Sequence, residues 1–162
     1  MGTLTPERLS EALHYDPVEG VFTRKVCRKN TYRVWKTAGS TDKNGYRRIR
    51  IDGRCYAEHR VAWMYVFGEM PKMDIDHING NRADNRISNL REATRAENSQ
   101  NVHAARRDNT SGYLGVHKDR GRWNARIKVN GKYKHIGCFA TPEDAHLAYL
   151  AAKRELHPGS TL

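Results

Sequence analysis

Nowhere do the 162 residues approach the ~18 consecutive apolar side chains that a membrane-spanning helix needs. The opening residues Met1-Gly2-Thr3-Leu4-Thr5-Pro6-Glu7 have no basic stretch leading into an apolar one, so no secretory signal is expected. Pro6 also breaks the myristoylation pattern that Met1-Gly2 would begin. Cysteine is scarce. Cys27, Cys55 and Cys138 are odd in number and irregular in spacing, which suits free thiols in a reducing cytoplasm. Cys55 and His59 could form half of a zinc site, but no second pair stands at ligand spacing, which speaks against a structural zinc module. With 38% hydrophobic residues a large core is not expected; two compact ones are.

Acidic residues are also short. There are 18 Asp and Glu against 29 Lys and Arg, a net charge of +11. An excess of this size points to a polyanionic partner, because Lys and Arg displace condensed counterions from phosphates. The charge is unevenly spread. Residues 24–60 carry 12 basic and 3 acidic side chains, residues 61–105 carry 5 and 6, and residues 106–162 carry 11 and 5. A near-neutral middle between two basic arms suits a cation-holding centre flanked by parts that grip a backbone.

Local signals place the elements. Thr5 caps a short helix whose first position is Pro6. Asp16 to Gly20 reads as a turn and Val21 to Val26 as a strand, followed by a basic, irregular stretch over 27–40. Asn44-Gly45 and Asp52-Gly53 bracket Tyr46 to Ile51, predicting a hairpin. Ala57 to Phe67 has helical spacing and stops at Gly68, with His59 expected to pack under Trp63. Residues 99–112 decay from a helix into a polar linker, and a domain boundary is expected near Asp108. Beyond it, Tyr113–Val116, Trp123–Val129 and Tyr133–Phe139 read as strands, and Thr141-Pro142-Glu143-Asp144 opens a helix. Ala145, Leu147, Ala148, Leu150, Ala151 and Ala152 give that helix a small apolar face suited to a sheet. The fold class is therefore α+β, with domains expected at 1–107 and 108–162.

The chemistry concentrates between Asp74 and Asn98. Asp76-His77 falls in a short strand, a loop rich in Asn, Gly and Asp follows, Leu90–Thr94 reads as a second strand, and a polar helix from near Arg95 carries Asn98. Phosphodiester hydrolysis needs an activated water, charge neutralisation and help for the departing oxygen. A neutral His can take the water's proton. A hard divalent cation can stabilise the reacting phosphorus centre. Magnesium keeps most of its waters, so one carboxylate and one amide oxygen suffice, and Asp76 and Asn98 supply that pair. Arg82, Arg86 and Arg91 can meet flanking phosphates or stay solvated.

This run resembles the HNH endonuclease family, especially its phage and homing members. His77 to Asn89 spans 12 residues and His77 to Asn98 spans 21, both close to the family spacing. The upstream Gly45-Tyr46, Ala57-Glu58-His59-Arg60-Val61-Ala62-Trp63, Gly68 and Pro71 extend the likeness to roughly residues 4–103. The resemblance implies His77 as general base, Asp76 and Asn98 as metal ligands, Asn89 as the brace of the base-bearing loop, and products with 5′-phosphate and 3′-hydroxyl ends. Asn98 stands where some relatives have His, which points to Mg2+, with Mn2+ as a substitute.

The C-terminal segment resembles the Apetala/ERF DNA-binding domain through Tyr113-Leu114-Gly115-Val116, Gly121-Arg122-Trp123-Asn124-Ala125-Arg126-Ile127, Ile136-Gly137-Cys138-Phe139 and Thr141-Pro142-Glu143-Asp144-Ala145. That likeness places His117, Arg126, Lys128 and His135 toward the DNA groove, while Leu114 and His135 depart from the pattern. Lys134 falls on the nominal inner face and is expected at an edge. A basic sheet that grips phosphates without reading sequence remains open. The expected partner is double-stranded DNA, with the chain a monomer or weak dimer on it, in the cytoplasm (a bacterial host's, if phage-encoded). A DNA-binding regulator with a silent centre is the alternative.

Overall fold

The computed structural model describes residues 3–25, 36–105, 108–157 and 160. Val26, Cys27 and residues 28–35 of the basic stretch lie outside the described residues. The chain forms two compact units, Met1–Thr94 and Arg95–Leu162. Every sheet among the described residues is antiparallel, and with the helices they make an α+β chain.

In the first unit, helix α1 (Pro6–Ala12) begins where Thr5 Oγ1 accepts the Arg8 amide at 3.2 Å. It leads straight into strand β1 (Leu13–Asp16), which the sequence reading did not anticipate and which pairs with β2 (Val21–Arg24). Leu13 and Tyr15 are buried and His14 is exposed, so the strand's two-residue alternation is present but only four residues long. The turn between the strands is tied by Asp16 Oδ1, which accepts from Val18 and Glu19 amides at 2.9 and 3.1 Å. A second sheet, β3 (Ser40–Thr41), β4 (Arg47–Ile51) and β5 (Arg54–Ala57), turns through Asp52-Gly53, both at positive φ. Helix α2 (Glu58–Phe67) follows and stops at left-handed Gly68. Strands β6 (Asp74–His77) and β7 (Leu90–Ala93) make the third sheet, with a 3-10 turn at Ile87–Asn89 inside the loop that joins them. The core of this unit gathers Leu9, Leu13, Tyr15, Phe22, Ile49, Ile51, Val61, Met64, Ile75 and Leu90, drawn from α1, β1, β2, β4, α2, β6 and β7.

The second unit contains helix α3 (Arg95–Gln100), strands β8 (Val116–Asp119), β9 (Arg122–Val129) and β10 (Lys132–Phe139), and helix α4 (Pro142–Leu156). The sheet order is β10-β9-β8. The strand expected over Tyr113–Val116 starts only at Val116, because residues 109–115 are spent on turns. Asn109 accepts the Ser111 amide at 2.8 Å and donates to the Tyr113 carbonyl at 3.0 Å, and Gly115 has φ +76°. Helix α4 buries Ala145, Tyr149 and Lys153, four residues apart, and its Leu147 faces outward at 64% exposure, against the expected apolar face. Lys153 is the unexpected member. Its Nζ donates to the Val102 carbonyl at 2.6 Å, and burial pushes its ammonium down to about 8. That bond ties the segment after α3 to α4 within the second unit.

Gly115 shows what this packing demands. A Cβ there would lie 2.0 Å from the Tyr149 ring, on a backbone that side chains rarely adopt. We expect Gly115→Ala to cost roughly 2 kcal/mol or more from strain and overpacking together. Thermal denaturation of the two proteins side by side checks this; equal midpoints would mean that α4 does not sit on Gly115 as described.

Candidate active site

β6 and β7 place Asp76 opposite Arg91 and His77 opposite Leu90. Cross-strand neighbours share a sheet face, so Arg91 is delivered to Asp76 by register alone. Its Nε and Nη2 donate to Asp76 Oδ2 at 3.0 and 2.8 Å. Asp76 and His77 are both nearly buried, at 5% and 4% exposure. A carboxylate in such a position needs a charged partner to offset its lost hydration, and Arg91 is one.

His77 is oriented by Asn85, eight residues on in the loop. Its Nε2 lies 3.1 Å from Asn85 Oδ1. A carboxamide oxygen only accepts, so the imidazole proton sits on Nε2 and the lone pair on Nδ1. Burial pushes the His77 imidazole below its ordinary range, against the opposing pull of the Asn85 bond and the Asp76 charge. The neutral ring, the form a proton acceptor needs, is thereby favoured at neutral pH.

The loop between β6 and β7 is held from within. Asn89 Oδ1 accepts the Asn79 amide at 2.9 Å, and Asn89 Nδ2 donates to Asn79 Oδ1 at 3.0 Å and to the Asp84 carbonyl at 2.8 Å. Asn85 is held from outside by the N-terminal hairpin. Tyr15 donates its hydroxyl to the Asn85 carbonyl at 2.6 Å. Gly20 presses on the Asn85–Arg86 peptide so closely that a Cβ would lie 2.3 Å from the Arg86 nitrogen.

Three further groups close around His77. The His59 ring stands at 84° to it with centroids 5.2 Å apart, and the Tyr46 ring is 5.6 Å from His59 and 6.0 Å from His77. His59 therefore packs on His77 and Tyr46, while the Trp63 ring lies 4.3 Å from that of Phe67. Burial and the His77 charge push the His59 imidazole down to about 4. Arg82 sits 5.0 Å over the Tyr46 ring and donates to the Asn44 carbonyl at 3.0 Å. Arg86 is bound to Asp84 through Nε at 2.8 Å, and this pairing pulls the Asp84 carboxyl down to about 2. Arg86 and Arg91 thus already have carboxylate partners, whereas Arg82 meets a carbonyl and a ring face.

Asn98 stands on α3, in the second compact unit. Among the described residues no group of three or more His, Cys, Asp or Glu is arranged to hold a metal ion. Cys55 and Cys138 are free thiols at the surface.

The second unit presents a basic face. His135 pairs with Arg126, Tyr133 with Lys128 and His117 with Asn124, so all these side chains stand on one side of the sheet. Arg126 and Lys128 are exposed while Ala125 and Ile127 are buried beneath α4. Arg126 lies 4.5 Å over the Tyr133 ring. His117, Arg126 and Lys128 also line a groove of about 960 Å³ in this unit, together with Arg95. Lys134 is exposed.

Sequence reasoning missed Asn85, Tyr46 and the position of His59. Asn85 carried no signal beyond belonging to an Asn-rich loop, and a ring cluster drawn from three separate elements has no spacing to read.

Comparison with known proteins matches the HNH endonuclease family to residues 56–100. The chain is also similar to Protein 3.8 of Escherichia phage T7, with 34% identity over 102 residues, covering 61% of this chain and 83% of the phage protein. No solved structure matches the chain.

The ring cluster makes stability depend on pH. Unfolded His59 takes up a proton near 6.5, folded His59 only near 4. Its contribution is therefore complete above about 6.5 and is lost as pH falls toward 4. The thermal midpoint of the wild type should fall faster over that window than that of His59→Phe. Parallel curves would show that His59 is not buried in its neutral form.

Proposed function

The chain belongs to the HNH endonuclease family, its domain lying at residues 56–100, and from that premise we propose that it is a metal-dependent endonuclease of double-stranded DNA. The observation that carries this reading is the His77–Asn85 hydrogen bond, which leaves a buried, neutral imidazole with its lone pair on Nδ1 beside a buried carboxylate. His77 acts as general base toward water, and Asn89, inside the loop, keeps it in place through Asn79 and Asp84.

Asp76 and Asn98 are the proposed metal ligands. One carboxylate and one amide oxygen suit a hard cation that retains most of its waters, so Mg2+ fits this donor set and Mn2+ can replace it. When bound, the cation would offset charge at the reacting phosphate and the departing oxygen. Arg82 is the contact that needs least rearrangement to meet a flanking phosphate; Arg86 and Arg91 must give up a carboxylate to do so. The products carry 5′-phosphate and 3′-hydroxyl ends.

The second unit we read as an Apetala/ERF-type DNA-binding module. Its support is the single basic face of His117, Arg126, Lys128 and His135 on a three-stranded sheet backed by one helix. The functional boundary is proposed near Asp108, with the protein a monomer or weak dimer on DNA. The similarity to a phage protein supports a phage origin and action in the host cytoplasm.

Supercoiled plasmid incubated with Mg2+ should be cut, and chelator should abolish cutting. His77→Ala should lose on the order of a hundredfold in rate while keeping DNA affinity. Asp76→Asn and Asn98→Ala should weaken Mg2+ binding in calorimetry and be rescued in part by more metal. A wild type that binds plasmid without cutting it at any metal concentration would favour the regulator with a silent centre.

The basic face has its own test. In Arg126→Ala/Lys128→Ala, two phosphate contacts are lost, so the slope of log affinity against log salt should flatten by about 2. An unchanged slope would remove the sheet from the DNA interface.

A further inference from the structure

The groove of about 960 Å³ lies wholly within the second unit. It is lined by Arg95, Val102 and Asn109, from α3 and the chain after it, and by Arg126, Lys128 and Tyr133, from the turn end of the β9–β10 hairpin. Lys128 stands opposite Tyr133 across the strand pair, and Arg126 lies two residues back along β9. All three side chains therefore leave the sheet on one side. Arg126 is 4.5 Å and Lys128 5.8 Å from the centre of the Tyr133 ring. The charge here is uncommitted. Among the described residues none of Arg95, Arg126 and Lys128 is in an ion pair, whereas Arg47, Arg86 and Arg91 of the first unit each hold a carboxylate. Asp108 is the one acid among the described residues that line the groove.

A guanidinium stacked on a ring keeps its N–H edges for hydrogen bonds, so Arg126 can support Tyr133 with its face and hold a phosphate with its edge. Tyr133 is 64% exposed, so its ring adds little to the core and is open to a flat partner. Cations around an exposed ring match a chain that alternates phosphates with bases. The match is to one strand and not two. A volume of about 960 Å³ is a cube of about 10 Å edge, narrower than the ~12 Å of a duplex's major groove alone. An acidic peptide would meet the cations but leave the ring unused. We propose that this groove is a binding site for an unpaired DNA strand: Tyr133 stacks on a base, and Arg95, Arg126 and Lys128 meet the phosphates beside it. This deepens the reading of the second unit as a DNA-binding module and rests on it, naming the form of DNA that this part of the basic face takes. A duplex cut in one strand can fray at the break and so supply such a strand.

Affinity is measured on the full chain in chelator, so that no probe is cut. The probes are an oligothymidine of about eight nucleotides, an abasic strand of the same length and charge, and a short blunt hairpin duplex. The wild type should bind oligothymidine about tenfold more tightly than the abasic strand, the scale on which one stacked base counts. Tyr133→Ala should bind the two strands alike, Tyr133→Trp should keep the preference, and neither should change duplex affinity. Should Tyr133→Ala lose thermal stability, the two strands on the wild type and on Tyr133→Trp still decide. Equal affinity of the wild type for both strands would overturn the proposal, because the groove would then answer to charge alone, as it would for an acidic peptide. A preference that survives Tyr133→Ala would overturn it too, and so would an equal loss of duplex and oligothymidine affinity in that variant. If Arg126→Ala/Lys128→Ala leaves the salt slope unchanged on duplex and strands alike, the DNA-binding reading of the unit fails and this proposal with it. If the slope falls on duplex while Tyr133→Ala binds oligothymidine as the wild type does, only the unpaired-strand proposal fails.

Discussion

The active-site geometry depends on keeping Asn85 still. His77 bonds through Nε2 to the Asn85 carboxamide oxygen, and Asn85 lies in a loop of ordinary, polar composition. A loop of that kind is mobile unless its backbone is tied down. Here the ties come from far away in sequence. The Tyr15 hydroxyl takes the Asn85 carbonyl, the bare Cα of Gly20 admits the Asn85–Arg86 peptide at contact distance, and the Ile87 amide reaches the Pro17 carbonyl at 3.2 Å. The N-terminal hairpin β1–β2 therefore holds in place the loop that orients His77. Its own core position explains how it can serve, since Tyr15 packs on Phe22 and Tyr65 at 4.7 and 5.7 Å and cannot swing away.

A second regularity is electrostatic. In a chain of net charge +11, the acids of the nuclease unit's interior are each matched with an arginine: Asp76 with Arg91, Asp84 with Arg86, Glu58 with Arg47. Pairing of this kind offsets desolvation more than it adds stability, and removing one partner costs more than never having had the pair. It also means that the near-neutral charge of residues 61–105 is not an absence of charge. It is charge in part committed internally, through Asp76 with Arg91 and Asp84 with Arg86.

The sequence was most informative where one element carries the whole signal. The Thr5 and Thr141 caps, the Asp52-Gly53 and Asn130-Gly131 turns, the stop at Gly68 and the Asp74–His77 and Leu90–Ala93 strands all follow from local chemistry, and the structure has them. The pairing of Asp76 with Arg91 was in principle readable too, since it follows once the two strands are set in register. What could not be read was convergence. β1 is four residues long and leaves no period to detect. The late start of β8 depends on side-chain turns at Asn109 that mimic strand-like composition. His59 looked like a packing residue because its helix face also carries Trp63; only the fold shows that its ring also meets that of His77. Lys153 on a buried helix face runs against every compositional rule, and it is understandable only with the Val102 carbonyl in view.

That buried lysine bears on how such a chain can be inherited. The Lys153–Val102 bond binds the stretch following α3 into the C-terminal compact unit, while α3 itself carries Asn98, the last position of the pattern that begins at Asp76. A gene fusion joined at the linker near Asp108 would have to bring, from its N-terminal side, a main-chain carbonyl into the place of that of Val102, or Lys153 would be left a cation without its acceptor in a core. The acceptor is a backbone atom that any residue can supply, so exchange there is limited by where the incoming chain runs and not by which side chains it carries.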